Sequence, residues 1–191
     1  MASTTGQQAT GELDLASLFK RSWELFAKKP LEHILAAAII PVLSAVTLGA
    51  LFGPLLVGYI RLIERQRRWD EVISVGQIFT LEGSGWSAFG ASLLVALATF
   101  FGLVFLVVPG LVALLGFGFA LWFVALDRAR ATASLGASWR LFKANAGSVV
   151  LVWVILVVLG SVGGAALIGT LITFPLGTVF TTLAFHDMRG D

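Results

Sequence analysis

The chain has 191 residues, of which 58% are hydrophobic and 13% charged, with a formal charge of +2. A soluble domain is roughly half apolar and about a quarter charged, so a water-soluble core is excluded as the destination of this much apolar surface. The lack of cysteine excludes a disulfide framework, thiol catalysis and thiolate metal sites, and no basic block reads as a nucleic-acid site.

Residues 1–11 are polar and uncharged, without the basic and apolar regions of a secretory signal. Met1 to Thr10 resembles a phage-capsid leader used in expression. This segment is read as a disordered tail ahead of a single helical membrane domain at 12–191.

The first predicted element is amphipathic. At about 100° per residue, Leu15, Leu18, Phe19, Trp23 and Phe26 gather on one face, with Ser17, Lys20, Arg21, Glu24 and Lys28 opposite. That pattern predicts a helix lying in the membrane interface, anchored by Phe19, Trp23 and Phe26. The alternative is a helix that packs on its neighbours as a small cap.

Three apolar stretches follow, Leu31 to Ile63, Trp86 to Leu126 and Gly147 to Phe185. Each exceeds the about 20 residues that span a bilayer, and each is broken near its middle. The second breaks at Val107-Val108-Pro109-Gly110, where proline removes a helix donor and glycine permits a turn. The third breaks at Gly160 to Gly164. In the first, Pro41, Gly49, Gly53 and Pro54 are all candidates, and the turn is placed near Thr47 to Gly53. Its legs are short, so a re-entrant hairpin competes with two full crossings.

The expected fold is therefore all-α and polytopic: about six transmembrane helices as three hairpins, plus two interfacial amphipathic helices. Six crossings put all thirteen Lys and Arg residues on one side, which the positive-inside rule makes cytoplasmic. The three opposite turns carry no charged residue. Arg65, Arg67 and Arg68, beside Trp69, are candidate contacts for anionic lipid headgroups, against a plain solvated loop.

Ser22-Trp23-Glu24-Leu25-Phe26 recurs as Ser138-Trp139-Arg140-Leu141-Phe142, each copy ahead of an apolar hairpin. A Pro-Leu pair then marks each second leg, at Pro54-Leu55 and Pro175-Leu176. Repeat-like halves at about 12–68 and 131–188 thus flank a middle hairpin at 86–126, and Trp139 and Phe142 join the predicted interfacial anchors. Same-sided repeats suggest pseudo-symmetry about the membrane normal.

Pro109-Gly110, an apolar run ending at Leu126-Asp127, a short Ala-rich loop and Ala137-Ser138-Trp139-Arg140-Leu141-Phe142-Lys143 before another apolar hairpin resemble a bacterial six-helix membrane-protein superfamily. That group is largely of unknown function and includes the membrane domain of some glycerophosphodiester phosphodiesterases. The resemblance covers roughly Phe19 to Asp187. It implies a six-helix domain in the bacterial cytoplasmic (inner) membrane and carries over no catalytic residue, while the charge census puts both termini on the cytoplasmic side.

Ionisable residues at mid-depth would be functional by default, but His33, Arg61, Asp127 and His186 fall at predicted helix ends, where they read as interfacial. His186-Asp187 and Glu32-His33 offer too few ligands for a metal, and no cofactor is expected. Gly116 with Gly118, and Gly160 with Gly164, suit close helix packing. In the last helix Thr173, Thr178 and Thr181, with Thr170 and Thr182, form a stripe that either packs or lines a polar path. The expectation is a non-enzymatic scaffold that organises lipid or partner proteins and can shape membrane. Its partners would be membrane lipids, further copies of itself or another membrane protein, and the alternative is a channel or transporter for a small or lipidic solute.

Overall fold

The computed structural model of the protein describes residues 13–69, 74–105, 107–164 and 167–190, so the predicted tail lies outside the described residues. Every regular element among them is helical: α1 (Leu15–Lys28), α2 (Pro30–Val46), α3 (Phe52–Trp69), a 3-10 turn (Val75–Phe79), α4 (Gly85–Phe105), α5 (Val107–Phe117), α6 (Ala120–Asp127), α7 (Ala131–Ala144), α8 (Ala146–Gly164) and α9 (Leu167–Arg189).

Local chemistry sets the boundaries. Asp14 starts α1 by accepting from the amides of Ala16 and Ser17 at 3.2 and 3.3 Å, satisfying donors that the first helical turn leaves unpaired. Pro30 ends α1, because proline disfavours the helical conformation of the residue before it while suiting the first position of α2. The chain bends there by 92°. A corresponding bend of 103° separates α7 from α8, at Asn145, whose amide nitrogen Nδ2 donates to the carbonyls of Leu141 and Met188.

The first apolar stretch turns at residues 47–51, with Leu48 and Gly49 in the left-handed region at φ 51° and 87°. Helix α2 runs straight through Pro41, so that residue is not a break. In the second stretch α4 ends at Phe105 and α5 begins at Val107, so Val107–Gly110, expected as the break, is helical, with Pro109 in the first turn of α5, where its missing N–H costs no helical bond. In the third, α8 continues through Gly160 to Gly164, so the expected break there is helical, and α9 begins at Leu167.

Helices Gly85–Phe105 and Val107–Asp127, the latter comprising α5 and α6, are each 21 residues long and apolar enough to cross a membrane. The bent pairs α1–α2 and α7–α8 meet the same standard when each is taken as one span. Two to four crossings are therefore available among the described residues by length and composition.

Burial explains why α3 does not read as a lipid-facing span. It lies at the centre, packed by α2, α4, α6, α9 and the 3-10 turn, and is buried from Gly53 to Glu64. Large apolar side chains instead face outward on α4 (Phe100, Phe101, Val104), α5 (Val107, Val108, Leu111) and α8 (Val154, Val157, Val158). The interior is itself mainly apolar, so what departs from the soluble pattern is the apolar outer surface.

Four residue pairs matched by the sequence repeat are buried in both copies. Ser22 and Ser138, Leu25 and Leu141, then Tyr59 and Phe180, and Leu62 and Leu183 occupy equivalent buried places along α1, α7, α3 and α9.

Candidate functional site

The charged segments meet at one end of the bundle, where polar side chains from most of the helices interlock. Its centre is Glu64, on the last turns of α3 and just beyond the apolar run that closes at Ile63. Its carboxylate accepts from His186 Nε2 at 2.9 Å, from Arg67 at 2.9 and 3.0 Å, and from Arg68. Burial alone raises the pKa of such a carboxyl, but the hydrogen bonds from His186, Arg67 and Arg68 outweigh it and hold Glu64 well below the ordinary carboxylate range.

Around this centre, Arg21 of α1 forms a two-pronged pair with Asp187 of α9 at 2.5 and 3.3 Å. Arg189 of α9 donates to both oxygens of Asp127 at the end of α6 and lies over the rings of Phe123 and Phe185. Glu82, in the loop before α4, pairs with Arg65 of α3 at 2.5 Å and with Arg128 after α6. Segments preceding α2, following α3, following α6 and ending α9 are thereby tied to one another.

Two further groups are buried in this end. The Arg61 guanidinium donates to the carbonyls of Ala125 at 2.8 Å, Leu81 at 2.7 Å and Val124 at 3.4 Å. A cation here satisfies the orphan carbonyls at the end of α6 and complements the negative end of its dipole. The second group is a chain. The Gln66 Oε1 atom can only accept, so His33 donates to it from Nε2 at 2.9 Å, and the Nδ1 of neutral His33 then accepts from the Tyr59 hydroxyl at 2.8 Å. Gln66 Nε2 donates onward to the Leu25 carbonyl at 2.8 Å. Every member has a partner, as buried polar networks require, and the chain binds α1, α2 and α3 together.

These contacts correct the expectation that His33, Arg61 and His186 are helix-end residues meeting headgroup water. His33 is fully buried, and Arg61 and His186 are nearly so. The available signal was the set Arg61, Glu64 and Gln66 threaded through Tyr59, Ile60, Leu62 and Ile63, the pattern of a helix buried on all sides.

The residues singled out from sequence separate into groups. Phe19 and Trp23 are exposed on α1, while Phe26 is turned inward, 4% exposed, with its ring 5.6 Å from that of His33. Trp139 and Phe142 are half-buried. The Trp139 ring sits on Gly116 beside Phe117, and that of Trp153 sits on Gly118, so the two glycines admit indole rings. Arg65, Arg67 and Arg68 all pair with carboxylates, Arg65 with Glu82 and the other two with Glu64. A lipid headgroup would have to compete with those partners.

Thr170, Thr173, Thr178 and Thr181 line a cavity of about 270 Å³ between α8 and α9, closed on one side by Leu56 and Trp122. Thr178 and Thr181 donate to the carbonyls of Phe174 and Gly177 one turn back, at 2.9 and 2.7 Å, so these hydroxyl protons are engaged within the helix. Thr182 accepts from Trp122 Nε1 at 3.1 Å. Among the described residues no three His, Cys, Asp or Glu side chains are grouped to hold a metal ion.

No family model matches the chain, and neither a curated protein nor a solved structure is significantly similar to it.

Proposed function

We propose that this chain is a non-enzymatic membrane scaffold of the cytoplasmic membrane: six apolar helical legs arranged as three hairpins that open to one side, with α1 and α7 lying at the interface. The observation that carries it is the ionic closure at one end, where Arg21–Asp187, Glu64–His186, Arg189–Asp127 and Arg65–Glu82–Arg128 join the charged segments. Segments so joined share one side of a bilayer, and basic residues place that side in the cytoplasm. The outward apolar faces of α4, α5 and α8 then meet lipid.

The near-right-angle bends ahead of α2 and α8 support an in-plane course for α1 and α7, and Phe19 and Trp23 are exposed where an interfacial helix would seat them. The matching burial of the paired residues supports the internal repeat read from the sequence. Scaffolding acts through lipid and through further copies of the chain. Reconstitution into liposomes tests it: the protein forms oligomers or tightens vesicle curvature as its density rises, and unchanged vesicles holding monomers contradict it.

A second reading rests on the threonine-lined cavity, which would serve as part of a path for a small or lipidic solute. Liposome flux with the unaltered chain and with Thr178→Val/Thr181→Val separates the two. Flux that the double variant abolishes favours the path.

A further inference from the structure

The first hairpin is shorter than the bilayer that the other helices fit. Helix α2 has 17 residues and so reaches about 25 Å, whereas a crossing of hydrocarbon alone needs about 30 Å and 20 residues. Its partner α3 has fewer apolar residues still, from Phe52 to Ile60 before Arg61.

Contacts along α3 fix how far the turn reaches. At the charged end Arg65 meets Glu82. Near the other end of α3 a Cβ on Gly53 would run into the Ala88 carbonyl and the side chain of Ser92, on the first half of α4. From Ser92, α4 continues to Phe105, about 20 Å further. The turn at residues 47–51 thus stops beside the first half of a helix that is itself long enough to cross.

The amide donors of the turn are also satisfied within it. The amide of Thr47 donates to the Leu43 carbonyl, Leu48 to Ala45, Gly49 to Ser44, Ala50 to Thr47 and Phe52 to Gly49, at 2.6–3.2 Å. The Leu51 amide donates to the Thr47 hydroxyl oxygen at 3.2 Å, and that hydroxyl donates back to Leu43 at 2.8 Å. Six consecutive amides thereby find acceptors inside the hairpin, which meets for the donors the condition that hydrocarbon imposes on backbone within it. The side chains at the tip are apolar and outward, with Leu48 97% and Val46 76% exposed, and no charged residue lies between Glu32 and Arg61.

We infer that the α2–α3 hairpin is re-entrant: it enters from the charged side, ends within the hydrocarbon and returns, and the partner of its exposed tip is the acyl region of that one leaflet. This rests on the membrane reading above and deepens it. A wedge confined to one leaflet, flanked by in-plane α1 and α7, adds area to that leaflet alone and gives the scaffold a physical means of bending membrane.

Because the native chain has no cysteine, single-cysteine variants carry one probe each. Leu48→Cys, Val46→Cys, Val108→Cys and Arg130→Cys are labelled with bimane and reconstituted in liposomes of phosphatidylethanolamine and phosphatidylglycerol. Fluorescence is then quenched by brominated acyl chains or by iodide added to one face. The expected result is that Leu48→Cys and Val46→Cys are quenched by acyl bromines and by iodide from neither face, while Val108→Cys and Arg130→Cys are quenched by iodide from opposite faces. Quenching of Leu48→Cys by iodide from the Val108 face means a full crossing, and from the Arg130 face a hairpin outside the hydrocarbon; either overturns the inference. If Val108→Cys and Arg130→Cys respond from the same face, the membrane reading itself fails, and the inference with it.

Discussion

The Glu64 carboxylate and the His186 imidazole meet at 2.9 Å, joining the ends of α3 and α9 across 122 positions of sequence. Arg67 touches both partners, reaching the other ring nitrogen of His186 at 3.4 Å, and Arg68 closes on the same carboxylate. One anion therefore neutralises several donors at the centre of the charged end, and removing it leaves them without a counter-charge in a buried place.

Glu64→Gln should accordingly destabilise the protein by about 2 kcal/mol or more. Thermal unfolding in detergent reads this as a fall of several degrees, since about 2–4 °C accompany each kcal/mol in a chain of this size. An unchanged melting temperature would mean that the cluster contributes nothing to the fold.

The same carboxylate sets an acid limit. Its folded pKa lies below the ordinary carboxylate value of 4.5, so the stability it contributes is complete above that value and is lost as pH falls through the folded one. The melting temperature should decline on acidification below the ordinary carboxylate range, and this part of the decline should vanish in Glu64→Gln. A variant that keeps the full acid decline assigns it to other groups.

Gly58 lets the Val75–Phe79 turn lie against α3, because a Cβ there would coincide with the carbonyl of Ile78. Backbone cannot move aside as a side chain can, so Gly58→Ala should lift this turn away from α3. Proteolysis between residues 74 and 84 should then quicken in the variant while the unaltered chain resists.

Gly116 supports the ring of Trp139, and Ser138 donates to its carbonyl at 2.8 Å. Gly116→Ala should cost about 1–3 kcal/mol by overpacking. Combining it with Trp139→Leu should cost less than the two single changes together, because the ring that the methyl strikes is gone. Strict additivity in detergent melts would place the two residues apart.

Much of the architecture is legible in one dimension. Gly49 marks its turn because glycine takes up the left-handed backbone there, whereas Val107–Gly110, expected as a break, is the helical start of α5, where proline is tolerated. What is hidden is which neighbour a polar side chain faces. A helix-end arginine that snorkels and one that caps another helix look alike in sequence, and the Ala125 carbonyl partner of Arg61 lies 64 positions away. The same limit applies to Phe26: its helical phase places it with Phe19 and Trp23, yet the bend into α2 sets Phe26 against His33 and leaves the other two outside. Gly116 and Gly118 announce close approach, but their spacing does not reveal that indole rings from α7 and α8 make it.

In the proposed arrangement all charged segments occupy one side of a membrane. This placement is tested most directly by labelling single cysteines at Lys20, Phe79 and Thr132, each on an exposed residue of a different charged segment, with a membrane-impermeant maleimide in sealed, oriented vesicles. All three should react from the same face, and Val108→Cys from the opposite one. Reaction of Phe79→Cys or Thr132→Cys from the face opposite to Lys20→Cys would contradict the account.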